Sequence, residues 1–262
     1  MTIKPTLSVQ IRATRARQSD SVGESFSLDI AFEAAAGITI LFGPSGCGKS
    51  TTLAAIAGLV RPDSGRIALG DEVWFDSERG IDVPVHRRGV AFVFQSLALF
   101  PHMTATQNVT YGMDRALHRA ERHRRAEALL TRLHVGHLAG RRPRTFSGGE
   151  AQRVALARAF AMSPRVALFD EPFSAMDRQL RKDLVADVRS FAGELGIPLV
   201  HVTHQRNEAR ALGQRVILLE AGRITREGTA SELLPQEKIR DMSFDETPLE
   251  DPLRDHALPI PR

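Results

Sequence analysis

The chain has 262 residues, 42% hydrophobic and 25% charged, with a formal net charge of +4 and a pI of about 9.8. That is room for one large domain or two small ones; no apolar run reaches the roughly 18 residues of a membrane span, and residues 1–5 open no signal-peptide apolar region. A single cysteine, Cys47, excludes a disulfide framework and fits a reducing compartment, so the chain is expected in the cytosol.

Residues 7–11 and 26–32 alternate apolar and polar side chains with period two around a polar stretch, the pattern of a β-rich N-terminal edge. Residues 38–42 read as a buried strand and 51–57 as a helix. Between them Gly43, Pro44, Ser45, Gly46, Cys47, Gly48, Lys49 and Ser50 fit the spacing G-x-x-x-x-G-K-[ST], with Thr51 following in the first helical turn. The glycines let backbone N–H groups close around the β- and γ-phosphates of a ligand. Lys49 adds a positive charge, and the Ser50 hydroxyl can ligate Mg²⁺ at the helix N-terminus. A nucleoside triphosphate is the implied ligand.

A strand leads to Val93 and Gln95, after which strand signals stop until about residue 162. Ala, Leu, Arg and Glu then recur at helical spacing, as over 126–133, and the stretch over about 96–162 reads as a helical subdomain inserted into an α/β core. Basic residues gather at 118–125 and 141–144. Such runs can meet nucleic acid or anionic lipid headgroups, a solvated helix face is the commoner explanation, and they do not decide function.

Ser147, Gly148 and Gly149 open the next helix: Ser147 is a good N-cap, and the glycines allow an anion to approach the helix N-terminus closely. By itself this reads first as an ordinary capped helix with a glycine turn. Residues 166–169 form an apolar strand that ends in Asp170 and Glu171. An Asp placed there beside a phosphate loop can hold Mg²⁺, directly or through water, and the next Glu can polarise an attacking water. Phosphoryl transfer asks little covalent chemistry of a protein, so metal, positive charge and a positioned water form a minimal set. The apolar run 198–202 precedes His204, and 216–219 leads through a turn at 220–223 into a closing hairpin. These runs, alternating with helices, argue for a parallel sheet. From Pro235 onward the chain is proline- and acid-rich, as in a docked or disordered extension.

In this order the motifs resemble the nucleotide-binding subunit of ABC transporters, over residues 7–234. Gly43 to Ser50 match its Walker A loop, Gln95 its Q-loop, and Phe146 to Glu150 the signature usually written LSGGQ. Asp170 and Glu171 match Walker B and its catalytic glutamate, Ser174 to Asp177 the D-loop, and His204 the H-switch. The resemblance implies an α/β fold, a P-loop NTPase (RecA-like) core with an antiparallel β edge and an inserted α-helical subdomain. It divides the chain into an ABC ATPase domain over 1–234 and a polar tail over 235–262. It further implies that two copies sandwich two ATP molecules with Mg²⁺ head to tail. Glu171, His204, Gln95 and Lys49 would be catalytic, and Ser50, Gln95 and Asp170 would serve the metal. Ser147, Gly148 and Gly149 would complete the nucleotide site across the dimer, and Asp177 of the D-loop would be a further nucleotide-binding residue. Phe146 and Glu150 depart from the usual Leu and Gln, but Ser147 and both glycines are kept. No aromatic residue for stacking on adenine occurs over residues 13–24.

A separate ATPase chain is the importer arrangement within this family. Residues 37–43, 80–90, 99–102 and 108–113, together with Glu150 in the signature, resemble the ATPase of molybdate importers; sulfate, iron, polyamine and sugar importers share part of this pattern. Molybdate-type ATPases commonly carry a C-terminal oxyanion-binding domain, for which the chain ends too soon, so regulation by bound oxyanion is not expected. Non-transport relatives in DNA repair and translation carry long insertions or tandem units that are absent here, and no nucleic-acid partner is expected. The implied partners are a second copy of the chain, membrane permease subunits docked against residues 96–113 and, indirectly, a solute-binding protein. The resemblance thus places the chain on the inner face of the cell membrane, held there by the permease.

Overall fold

The computed structural model describes residues 5–16, 25–173 and 178–235. Leu7–Ala16 (β1) and Ser25–Ala34 (β2) pair antiparallel from Leu7 opposite Ala34 to Ala16 opposite Ser25. Their alternation sorts the faces: Val9, Ile11, Leu28 and Ile30 are buried, whereas Gln10, Arg12 and Asp29 are exposed. Gly37–Phe42 (β3) is apolar on both faces and feeds the helix Lys49–Ala57 (α1).

Three strands then follow that exceed the sequence expectation: Ser64–Leu69 (β4), Glu72–Asp76 (β5) and Ile81–Asp82 (β6). Their local signal is Gly70-Asp71, a two-residue connection in which Gly70 has φ 56°. Val90–Val93 (β7) returns to the core. Helices Ala105–Tyr111 (α2), Arg119–Arg132 (α3) and Gly148–Ala161 (α4) come next, with no strand among them. The remaining elements alternate: Val166–Asp170 (β8), Arg178–Leu195 (α5), Pro198–Thr203 (β9), Arg206–Leu212 (α6), Arg215–Glu220 (β10), Arg223–Gly228 (β11) and Ala230–Leu233 (α7). No helix among the described residues is long and apolar enough to cross a membrane.

The eleven strands among the described residues join one sheet in the order β6-β5-β4-β1-β2-β11-β10-β3-β9-β8-β7. The half from β6 to β2 is antiparallel, and the half from β10 to β7 is parallel. Parallel strands need both faces covered, which is why β3, β8 and β9 are nearly continuous apolar runs. Leu53 and Ile56 of α1 cover one face through Leu41, Leu168 and Val202. The opposite face, with Ile40 and Phe169, packs on α4, α5 and α6 through Phe160, Phe191 and Ala209.

The hairpin turn between β10 and β11 ties the two halves to the loop after β3. Gly222 donates its N–H to the Cys47 carbonyl (3.1 Å) and accepts at its own carbonyl from the Asp29 N–H (2.8 Å). Its φ is +80°, and a Cβ there would fall 1.9 Å from the Ser27 carbonyl oxygen, so only glycine fits. Gly222→Ala is expected to lower the unfolding free energy by about 3 kcal/mol, read as a shift in urea midpoint. A midpoint equal to that of the parent chain would remove this turn as a structural tie.

Candidate phosphate-binding site

The sheet register assembles the site. Phe42 lies opposite Thr203, Val202 opposite Asp170, and Phe169 opposite Val93, so four adjacent parallel strands end at one level. The residues just beyond those ends are Gly43, His204, Glu171 and, two positions past β7, Gln95. A crevice at the carboxyl ends of parallel strands is where an α/β sheet places its ligands.

The loop from Gly43 to Gly48 delivers the chain into α1 with Gly48 as N-cap, at φ 107° and with no side-chain cap. The first N–H groups of the helix are therefore left for an anion, in the field of the helix dipole. Lys49 is only 5% exposed, and its ammonium donates to the carbonyls of Gly43 (2.8 Å) and Pro44 (2.8 Å). The loop thus holds its own cation at the mouth of the helix. Cys47 is buried beneath it, and that burial raises the thiol above its usual range against the opposing effect of Lys49.

The Ser50 hydroxyl donates to Oδ1 of Asp170 at 2.9 Å. Burial raises the Asp170 carboxyl above its ordinary value, with the Ser50 hydrogen bond acting the other way. One hydroxyl and one carboxylate in contact form a small hard-oxygen donor set, the kind that suits Mg²⁺ when substrate phosphates and water supply the other ligands. Among the described residues no group of three or more His, Cys, Asp or Glu side chains forms a metal cage.

Glu171 sits in the left-handed region at φ 45°, unusual for a residue without a glycine's freedom. Its N–H donates to the Val202 carbonyl (3.1 Å), and its Oε1 lies 3.0 Å from Nδ1 of His204. Backbone and side chain together aim the carboxylate along the strand ends. Directly below, His201 of β9 is paired with Glu208 of α6 inside the core, which fixes α6 beneath the His204 loop.

One cavity of about 290 Å³ gathers these groups: Ser45, Gly46, Gly48, Lys49, Ser50 and Thr51 from the loop and α1, Gln95 past β7, and Glu171 past β8. Gly43 and Pro44 join through Lys49, Asp170 through Ser50, and His204 through Glu171. Ser147, Gly148 and Gly149 do not line it. They begin α4, where Ser147 and Glu150 form a capping box: the Ser147 hydroxyl accepts from the Glu150 N–H, and the Glu150 carboxylate from the Ser147 N–H (2.7 Å). That N–H, with His137 at 2.9 Å, pulls the Glu150 carboxyl down to about 2. Glutamate thereby closes the box as glutamine would. Asp177, with residues 174–176, lies outside the described residues, as do residues 17–24 and the tail over 236–262.

One lining residue has no counterpart in the motif reading. Phe26 of β2 walls the cavity, and a Cβ on Gly48 would come within 2.9 Å of its ring. Sequence offered a signal in the form of an aromatic at the start of a strand leading to the loop, but only pairing in the sheet places that strand beside Gly48.

Similarity to known proteins agrees with this geometry. A family model described as ABC transporter matches residues 28–174. The chain is 41% identical over 215 residues to the molybdenum import ATP-binding protein ModC of Brucella melitensis biotype 1, covering 80% of this chain and 58% of that one. It is 42% identical over 212 residues to ModC of Albidiferax ferrireducens, covering 80% and 57%. The chain spans little more than half the length of these relatives. Among solved structures, the ATP-binding cassette MJ0796, a dimer in a post-hydrolysis state bound to ADP and Pi, matches with a TM-score of 0.73 at 29% identity, over 86% of this chain and 98% of that one. The phosphate loop, the aligned strand ends and these relatives lead to one assignment: the chain belongs to the ABC transporter family.

Proposed function

We propose that the chain is the ATP-binding and ATP-hydrolysing subunit of an importer, with molybdate as the oxyanion carried. The observation that carries the catalytic part is the single cavity in which the phosphate loop, Gln95 and Glu171 meet at the strand ends. The import and molybdate parts rest on the similarity to ModC. Residues 1–234 would form the ATPase domain, with 96–162 as its helical subdomain.

In this reading the α1 N-terminus and Lys49 bind the β- and γ-phosphates, and Glu171, steadied by His204, orients and polarises the attacking water. Ser50 and Asp170 would hold Mg²⁺, with Gln95 facing the same cavity; bound there, the ion neutralises phosphate charge. Ser147, Gly148 and Gly149 stand apart from their own cavity, which supports a head-to-tail dimer in which α4 of one copy closes the site of the other. The dimeric state of the MJ0796 cassette supports a pairing of two copies.

Phe26 supplies the apolar wall for base or ribose that residues 13–24 lack. Phe26→Ala is expected to weaken ATP binding about tenfold, with Phe26→Trp close to the parent. Equal affinities measured with a fluorescent ATP analogue would remove that role.

The exposed Tyr111 ring packs on Phe100 with centroids 4.4 Å apart, an aromatic surface suited to receive a helix of the permease. Tyr111→Glu is expected to abolish uptake in the assembled complex while ATP binding is spared. Unimpaired transport would sink the docking role.

The decisive experiment is reconstitution with a molybdate-type membrane permease that co-purifies with the chain. ATP-dependent uptake of labelled molybdate supports the proposal. Uptake of sulfate instead overturns the cargo, and absence of ATP hydrolysis in the assembled complex overturns the function. Co-purification with ribosomes or DNA in place of a permease would likewise refute it.

A further inference from the structure

Glu150 brings a full negative charge to a helix start that glutamine would leave neutral. For the chain alone this is favourable. The carboxylate belongs to the third residue of α4, within the positive end of the helix dipole, and it closes the capping box through the Ser147 N–H (2.7 Å). That N–H first, and the His137 ring second, hold the Glu150 carboxyl at about 2, so the group stays ionised near neutral pH. The same charge is unfavourable once the helix start meets phosphate. In the head-to-tail reading above, on which this inference rests, Ser147, Gly148 and Gly149 approach phosphates bound by a second copy, and a carboxylate on the next residue repels them. Glutamine would close the box without that repulsion.

His137 stands where it offsets that charge. Its Nε2 lies 2.9 Å from Oε1 of Glu150 while Oε2 takes the Ser147 N–H, so the two carboxylate oxygens are divided between imidazole and cap. A short 3₁₀ turn over Gly136–Leu138 carries the histidine, pinned by buried Val135 and Leu138 on either side. Among the described residues His137 is the one charge-bearing side chain that acts on the Glu150 carboxyl, and it does not line the phosphate cavity. An exposed pair of this kind adds little to the stability of the chain alone. Covered by a second copy and stripped of water, the same charges act through a lower dielectric. We propose that His137 is a positioning residue that neutralises Glu150 at the start of α4, so that a chain with glutamate at this place closes on the phosphates of a second copy.

The test uses the full chain carrying Glu171→Gln, with ATP, and reads the protein concentration at half-dimerisation by sedimentation equilibrium. Measurements are made at about pH 6, on the charged side of an ordinary imidazole titration. Adding His137→Ala is expected to raise that concentration about fivefold, and adding His137→Lys, which supplies a permanent cation, to keep it within about twofold. In a chain that also carries Glu150→Gln, His137→Ala is expected to change it by less than about twofold, because no carboxylate remains to neutralise. A packing role for His137 would instead weaken the dimer equally in both backgrounds. If His137→Ala fails to fold, His137→Gln, which keeps a donor without the charge, carries the measurement. No loss on His137→Ala, or the same loss with and without the Glu150 carboxylate, overturns the inference while the head-to-tail reading stands. Should Glu171→Gln alone remain monomeric with ATP, the head-to-tail reading fails first, and this inference with it.

Discussion

Glu171→Gln is expected to lower ATP hydrolysis about 100- to 1,000-fold while ATP still binds, and to hold the chain as an ATP-bound dimer. The geometry sets the size of the effect. Glu171 is the carboxylate within the phosphate cavity; Asp170, its neighbour, is engaged with the Ser50 hydroxyl. Its position is held twice, by the backbone bond to Val202 and by the His204 contact, and the glutamine amide fits the same space. The substitution therefore removes the ability to draw a proton from water and leaves the shape of the cavity intact. Single-turnover hydrolysis and size-exclusion chromatography with ATP check the two halves of the prediction. Parent-like turnover would take Glu171 out of its assigned role.

Lys49→Ala is expected to weaken ATP binding about 100-fold, equivalent to about 2.7 kcal/mol. Lys49 is only 5% exposed and its ammonium is fixed by two carbonyls, so the charge is already aimed and little ordering remains to be done when phosphate arrives. Loss of the side chain also leaves the Gly43 and Pro44 carbonyls without their donor, with an expected stability change of only about 1–2 kcal/mol. Measuring ATP affinity and urea unfolding on the same variant separates these contributions. A large fall in stability with affinity preserved would make Lys49 a structural strut instead. Lys49→Arg is expected to fail as well, because a planar fork does not fit a slot shaped around one nitrogen.

The motifs are legible as sequence because each depends on a few residues at fixed short spacing. Gly43 to Ser50 must be glycine-rich for its backbone to turn and approach an anion, and Ser147 with Glu150 must be three apart to close a capping box. The apolar runs at 38–42, 166–169 and 198–202 were equally plain, since a parallel strand covered on both faces has no polar side to show. The hairpin strands over 64–82 were less legible. Each is short, and Trp74 and Phe75 are adjacent yet both buried, which breaks simple alternation.

By itself the sequence determined the glycine-rich loop from Gly43 to Ser50, the acid pair that ends β8, the histidine after β9 and the α/β character of the core, because these are local features of backbone and side chain. Tertiary structure alone decided the rest. Strand order and register brought Gln95, Glu171 and His204 to one edge of the sheet, and pairing of β2 in that same sheet set Phe26 against Gly48. It also set His137 against Glu150 and left Ser147 outside the cavity of its own chain. The physical reason is range: a turn or a cap is settled within a few residues, whereas which strands adjoin depends on burying apolar faces that lie far apart along the chain.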